Sequence, residues 1–540
     1  MRCGLRRTEG PRGLASRRRY AMQPDERYVI GLDSSTQSVK AVAWTADGTP
    51  RAEGRAPHRI STPHPLKAEQ NAEDWWSAAC DALSSLLRQI DSHRVDGVAI
   101  SNQRETMVLL GVDRKPLSPA TLWLDRRAQD IVQPFADEFG SERLHAISGK
   151  PIDVIPCVYR LRYYRQHEPE LLDRAAQILS VHDFLTQKLT GEAAASWTSA
   201  DPFGILDIEA KQWSREILDH LDIPLSKLPP LHRPGTLIGR VTADAAAATG
   251  LAAGVPVYAG GGDGHCAGLG VNVMPVYAGG GDGHCAGLGV NVIEPGVVYL
   301  NLGTAVVGGC WTPTRKLSRY WRTLVSPSGE GYLLESCQRG GAYFVNWLLD
   351  TFAGGRSDPA IFERLEAEAA SLDVGSGGVT VCSYLMGCMD PHWDADARAT
   401  FSGMGPETGM GHLYRASMEA ITLEFVRSLS EMKSMGVAAD RIFVIGGGAG
   451  SALWRQMIAD ASGLPVIRSL SNEASALGAG MSAAIGAGWY GHFGEAAGAM
   501  SRLAEQIDPR PAAAQAWAAL SRRQANLYQA TRRLDAYDGP

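Results

Sequence analysis

Three short turns rich in glycine and hydroxyl residues each follow an apolar run. They are Asp33-Ser34-Ser35-Thr36-Gln37 after YVIGL, Gly303-Thr304 after VVYLNL, and Gly446-Gly447-Gly448-Ala449-Gly450-Ser451 after IFVI. Small residues let backbone N–H groups close on phosphate oxygens, and the hydroxyls add donors. None is a Walker loop, because no GxxxxGK[ST] occurs, and none fits GxGxxG with an acidic residue about 20 positions on. A single turn of this kind also serves simply to join a strand to its successor. Three of them, two opening similar halves of the chain, point to a nucleotide held between two domains.

A second set sits between the first and second turns. Ser101-Asn102-Gln103-Arg104-Glu105-Thr106 ends an apolar run, and Trp123-Leu124-Asp125-Arg126-Arg127 follows. Adjacent Arg and Glu at a strand end can hydrogen-bond polyol hydroxyls as donor and acceptor, with Trp123 stacking on carbon. Gln103, Arg104, Glu105, Trp123 and Asp125 are therefore candidate substrate residues; the plain alternative is a surface ion pair of little energetic consequence. The sequence PVYAGGGDGHCAGLGVNV fills 256–273 and recurs unchanged at 275–292, with Met274 between. Two copies do not make a solenoid, which needs three units or more. The identity points to a recent tandem duplication or an error of sequence assembly. Each copy reads as a strand, a glycine-rich turn ending in Asp263 or Asp282, and a helix start that the Asp could simply cap. One slot in a fold holds only one of them. His265 and His284, beside Cys266 and Cys285, have no second ligand pair at suitable spacing and read as helix-start residues rather than metal ligands.

The elements that must position these residues follow from pattern. At 540 residues and 45% hydrophobic, the chain is long and apolar enough for two or more domains and is not disordered. A net charge of −6 argues against nucleic acid or an anionic membrane as partner. No apolar run approaches the 18 or so residues of a membrane span. The 9 cysteines, odd in number and without CxxC pairing, suit reduced thiols in the cytoplasm. Strands are expected at 28–32, 39–44 and after an Asp47-Gly48 type I′ turn, then a helix over 71–90 and a strand at 95–101. The pattern recurs with strands at 297–302, 305–311 and 332–336, a long helix near 407–435 and a strand at 441–445. A helix-rich insertion is expected over 150–235 and an amphipathic helix over 511–536. The Arg-rich residues 1–26 read as a disordered or mis-started leader, with Met22 as the alternative start.

The run GLDSSTQSVKA resembles the first phosphate loop of the FGGY family of carbohydrate kinases. Residues 443–466, FVIGGGAGSALWRQMIADASGLPV, closely resemble that family's C-terminal signature, which continues through Asn472 to Gly480. GGGD, EPGVV and NLGTA resemble its catalytic and second phosphate regions. RLRYYRQHEPELL is similar to a family segment that usually has Lys and Trp where this chain has Arg160 and Tyr163. The resemblance spans about 27–500. It implies an α/β fold of two related ribonuclease-H-like domains, of the actin, hexokinase and chaperone superfamily, with an interdomain cleft. The expected division is 27–253, 254–500 and a helical tail at 501–540.

The family further implies MgATP. Asp33 would hold Mg²⁺, directly or through water. Thr36 and Thr304 would donate to the β- and γ-phosphates within loops that include Ser34, Ser35, Gln37 and Gly303. Gly447, Gly448 and Ser451 would pack on adenosine. Asp263 or Asp282 would be the general base for a sugar hydroxyl. NQRET and WLDRR resemble glycerol kinases, whereas STQSVK resembles xylulokinases, which usually carry Met-His at Arg104-Glu105. Both groups commonly have Gln where this chain has Gly264 and Gly283. The expected acceptor is a ketopentose such as xylulose, with glycerol or another polyol second. A binding protein inactivated by the duplication is the non-catalytic alternative. Dimers are common in the family, so a homodimer is one option.

Overall fold

The computed structural model describes residues 26–263, 266, 294–356, 358, 360–469, 473–501 and 503–535. The first half opens with β1 (Tyr28–Ser34), β2 (Ser38–Trp44) and β3 (Pro50–Pro57), an antiparallel meander. Its apolar run buries Tyr28, Val29, Ile30 and Leu32 completely. The turn between β2 and β3 differs from the expected type I′. That turn needs two left-handed residues, but only Gly48 is left-handed, at φ 71°. The Asp47 carboxylate accepts from the Thr49 amide (3.1 Å) and hydroxyl (2.9 Å), so the loop closes around one glycine.

Helix α1 (Ala72–Leu87) is capped by Asn71, whose side chain accepts from the Glu73 amide, and it buries Trp75, Ala79, Leu83 and Leu86. Then β4 (Val95–Asn102) runs parallel to β1. The expected helix-rich insertion is present, with helices at Cys157–His167, Pro169–Arg174, Val181–Thr190, Trp197–Ala200 and Arg215–His220. β5 (Leu237–Arg240) and β6 (Pro256–Gly262) complete a sheet of order β5-β6-β4-β1-β2-β3. The 254–500 segment of the expected division therefore begins with a strand of the first sheet. β6 pairs parallel with β4, and the sequence of the repeat's first copy fits that slot.

The second half repeats this plan. β7 (Gly296–Leu302), β8 (Val306–Thr312) and β10 (Tyr332–Gln338) form the meander, with β9 (Arg322–Val325) on its outer edge. After α2 (Met410–Ser434) come β11 (Ala439–Ile445), α3 (Ala452–Ser462), β12 (Val466–Ser469), α4 (Ala474–Gly486) and β13 (Leu503–Ile507). The sheet order is β9-β10-β8-β7-β11-β12-β13, with β7, β11 and β12 mutually parallel. This matches the first sheet strand for strand from β3 to β5. The expected tail is not separate: β13 edges the second sheet, and α5 (Ala514–Asp535) buries Trp517 and Leu520 in its core. No helix among the described residues is long and apolar enough to cross a membrane.

The halves are joined by α4. Residues Ala474 to Ala484 are buried without interruption, the mark of a helix enclosed on all sides. It packs in one cluster with Val29, Val42 and Ala99 of the first sheet and Val297, Tyr299 and Phe443 of the second. Contact is close enough to require glycine: a Cβ on Gly31 would lie 1.6 Å from the Ala476 carbonyl oxygen, and one on Gly480 would lie 2.6 Å from Cδ1 of Trp44. The Trp44 indole donates to the same Ala476 carbonyl at 3.1 Å. Gly31→Ala should therefore cost about 3 kcal/mol or more, since backbone meets backbone and neither can rotate away. Denaturant unfolding of the variant measures this, and an unchanged midpoint would show that the helix yields.

Candidate active site

The carboxyl ends of three parallel neighbours, β1, β4 and β6, bring the first set of candidate residues together. Asp33 pairs in register with Ser101, Ser34 with Asn102, and Gly262 with Asn102. Asp33 accepts from the Ser101 hydroxyl at 2.7 Å. Asp263 follows directly after β6 and is buried. Crevices outside the carboxyl ends of strands are where open α/β sheets bind ligands. Asp282, Gly264, Gly283, His265, His284, Cys285 and Asn472 lie outside the described residues.

The first loop is held by a network that composition alone does not reveal. The Gln70 amide donates to the Thr36 carbonyl (2.7 Å), while its oxygen accepts from Gln103 (2.9 Å) and Trp75 (2.8 Å). His58 lies 2.9 Å from the same amide, and burial lowers its imidazole to about 4, so it stays neutral at physiological pH. Ser35 donates through both its amide and its hydroxyl to the Ser38 carbonyl. The Gln37 carbonyl accepts from His58. The Trp123 indole donates to the Thr36 hydroxyl at 3.1 Å, which joins the WLDRR segment to the loop. Asp125 is fully buried, and its oxygens accept from the Ala68 amide and from Arg127, itself paired to Glu69. In this structure Asp125 orders the segment behind Trp123.

Arg104 and Glu105 do not form a surface ion pair. The Arg104 side chain is 1% exposed, and its Nη1 donates to both oxygens of Glu335 on β10, at 3.0 and 3.1 Å. Its Nε lies 3.4 Å from Asp263 Oδ1. Glu105, at φ 48°, accepts from Arg322 at 2.9 Å, and Arg322 also donates to Glu335 at 2.5 Å. Arg160 is buried and donates to the carbonyls of Leu122 and Glu105, clamping the two candidate acceptor segments to each other. Burial together with the Asp33 and Asp263 carboxylates holds the Cys266 thiol well above its ordinary range, so it is neutral.

The second and third loops lie side by side at the ends of β7 and β11, where Asn301 registers with Ile445. Gly303 and Thr304 are partly exposed, and their carbonyls accept from Ala342 and from Gly341 and Tyr343 respectively. A Cβ on Gly447 would meet open space, whereas one on Gly448 would lie 2.8 Å from Leu302 and Trp454. Ser451 caps α3 by accepting from the Trp454 amide at 2.9 Å and donates to Glu366. Its hydroxyl is thus engaged within the protein. Sequence reasoning missed Gln70, Glu335, Arg322 and Glu366. The one visible signal was Glu335, a charged residue inside the strand expected at 332–336; no strand was expected at Arg322, and Gln70 and Glu366 stand among other polar residues.

Two sheets of one plan, joined by a buried helix and presenting hydroxyl-rich loops at the ends of their parallel strands, define the fold of the actin and hexokinase type. The pattern of the N-terminal domain of the FGGY family of carbohydrate kinases matches residues 28–270, and that of its C-terminal domain matches 298–487. The chain belongs to the FGGY family of carbohydrate kinases. The xylulose kinase of Bacillus subtilis is 27% identical over 513 residues, covering 94% of this chain and 98% of that enzyme. The crystal structure of xylulose kinase from Rhodospirillum rubrum superposes with a TM-score of 0.84 at 29% identity, covering 94% of this chain and 99% of that one. A gluconate kinase from Lactobacillus acidophilus shares the fold, with a TM-score of 0.85 at 21% identity and coverage of 94% and 98%.

Behind Glu335, the strand is anchored by Asp390, which accepts from the Ser336 hydroxyl (2.6 Å), the Cys337 amide (2.6 Å) and the Ser428 hydroxyl (2.9 Å). Burial outweighs these bonds and raises its carboxyl to about 7. A carboxyl raised on folding stabilises fully below its unfolded value and loses that contribution as pH rises through the folded value. Relative to Asp390→Asn, the wild type should lose about 1.4 kcal/mol per unit between about pH 4 and pH 7. Denaturant midpoints of both proteins across that range test this. A difference that does not vary with pH would mean that Asp390 does not titrate there.

Proposed function

We propose that the protein transfers the γ-phosphoryl group of MgATP to a hydroxyl of a small sugar, a ketopentose such as xylulose first, with Asp263 as general base. The observation that carries this reading is Asp263 itself: a buried carboxylate at the end of β6, with the Arg104 guanidinium 3.4 Å away and Asp33 among the neighbouring strand ends. A sugar hydroxyl is a weak nucleophile, and a carboxylate within hydrogen-bond reach orients it and takes its proton as the bond to phosphorus forms. Relatives named xylulose kinase, aligned over nearly the whole chain, support the ketopentose. The run NQRET, whose Arg104 and Glu105 are buried, resembles glycerol kinases and supports glycerol or another polyol as second reading.

Asp33 is a partly exposed carboxylate steadied by Ser101, the hard-oxygen donor that Mg²⁺ accepts. Among the described residues no three metal-ligating side chains converge. Mg²⁺ suits such a place, since it keeps several waters and binds through one or two carboxylates and substrate phosphates. Bound there with ATP, the metal would neutralise charge on the phosphoryl oxygens. Thr36 and Thr304, with the backbone of Ser34, Gln37 and Gly303, would donate to the phosphates. The open face of Gly447 would admit the nucleoside, and the packed Gly448 would form the floor. On this reading the halves divide after Asp263. The seven free cysteines among the described residues suit the reducing cytoplasm.

A coupled assay with MgATP and xylulose, ribulose, glycerol or erythritol should show turnover, fastest with a ketopentose. Asp263→Asn should lower kcat by about 10³-fold, within the range for loss of a general base. Asp282→Asn should leave turnover intact. Nucleotide binding without turnover of any acceptor would make the protein a binding protein. Loss of activity in Asp282→Asn alone would assign the base to the second copy.

A further inference from the structure

We propose that Glu335, supplied by the second sheet, is a positioning residue that fixes Arg104 in an acceptor site suited to a neutral polyhydroxy compound. This rests on the sugar-kinase reading above and concerns how the acceptor is held and which class is admitted. Arg104 carries five N–H donors in a rigid fork. Glu335 takes Nη1 with both of its oxygens, which anchors that end of the guanidinium. Nε is thereby turned toward Asp263, 3.4 Å away, and neither Nε nor Nη2 has a hydrogen-bond partner among the described residues. Buried donors without partners are costly, and an oxygen of the acceptor beside the base would complete them.

Glu335 is itself fixed by Arg322 (2.5 Å) and the Tyr299 hydroxyl (3.3 Å), and Arg322 also holds Glu105. Both charged residues of the acceptor loop are thus oriented from the other half of the chain. Without the Glu335 charge, Arg104 would swing to Asp263 and fill the space the acceptor needs.

The balance of charge sets the class of acceptor. Lys150 pairs with Asp201 beside this group; its Nζ also donates to the Thr323 carbonyl, and Asp201 accepts from the Val325 amide. The buried cations Arg104, Arg322, Lys150 and Arg160 match in number the carboxylates Glu105, Glu335, Asp263 and Asp201, so among these buried groups no cation is in excess to receive a charged acceptor. A carboxylate on the acceptor would bring a further like charge into a dry site. A sugar or polyol with hydroxyls alone adds none.

Kinetics of the full-length protein test both parts. Glu335→Gln should raise the acceptor KM about tenfold or more, with the MgATP KM changed less than about twofold and Glu335→Asp recovering most of the loss. Because Glu335 acts through Arg104, adding Glu335→Gln to Arg104→Met should raise the acceptor KM no further. Multiplying effects, or equal rises in both KM values, would overturn the assignment by showing a general structural role. The wild type needs no variant to fold: xylulose should exceed xylonate in kcat/KM by about 100-fold or more. Comparable turnover of xylonate would overturn the charge argument alone. Turnover of no acceptor of either class would instead overturn the kinase reading beneath it.

Discussion

The distance between the two sheets is set by α4, a helix of small residues enclosed on every side. Ala, Gly and Ser leave no side-chain bulk, so backbone approaches backbone at Gly31 and Gly480. Such packing tolerates no slack, because close-packed interiors transmit a misfit of even one methylene. By chain order α4 belongs to the second half, yet it lies against β1, β2 and β6, and Trp44 of the first sheet is bonded to its Ala476 carbonyl. The helix is the part that each half needs from the other. Pairing within the first sheet sets the register of Asp33 and Asp263, and the helix sets how closely the second sheet approaches them.

With the spacing fixed there, the charges between the halves become intelligible. Taking Arg104, Arg322, Glu105 and Glu335 out of water is expensive, and such a group is weak evidence for stability by itself. Replacing ion pairs of this kind with apolar residues often stabilises a protein, so their presence calls for another reason. Orientation supplies it, since each Glu–Arg pair fixes a fork or a carboxylate that a hydrophobic contact would leave free to rotate. Any opening of the halves must break the Arg104–Glu335 and Glu105–Arg322 pairs.

Much of this was legible in the sequence because the informative signals are local. The apolar run Tyr28 to Leu32, the capping Asn71 and the turn glycines determine their elements within a few residues, and the observed strands and helices begin and end close to where the pattern places them. Asp33, Arg104, Glu105 and Asp263 were visible as polar residues at the ends of apolar runs and Trp123 as an aromatic beside charged residues, and the fold brings them together. What could not be read is non-local. Nothing near Glu335 in sequence says that an Arg 231 positions away will fill it. Gln70 looks like any polar residue before a helix until Thr36, Gln103, Trp75 and His58 surround it. The Asp47-Gly48 turn shows the converse: the dipeptide suits one geometry, but a side-chain bond to Thr49 selects another.

The duplicated segment is governed by the same packing. β6 lies between β4 and β5, and its glycines are obligatory there, since a Cβ on Gly260 would lie 1.9 Å from the Ile100 carbonyl oxygen and one on Gly261 would lie 2.3 Å from Thr198. Either copy satisfies that demand equally, because their sequences are identical. Connectivity distinguishes them. The link from β5 to β6 spans residues 241–255 and already holds a helix, Ala243–Thr249, so the first copy reaches the slot with no spare chain. Seating the second copy would insert 19 residues into that link, between two strands that must pair antiparallel. With the first copy seated, that link needs no insertion. Longer loops cost little once closed, about 0.6 kcal/mol per doubling. The first copy therefore gives β5 and β6 the shorter link, and it is this seating that puts Asp263 at the strand end.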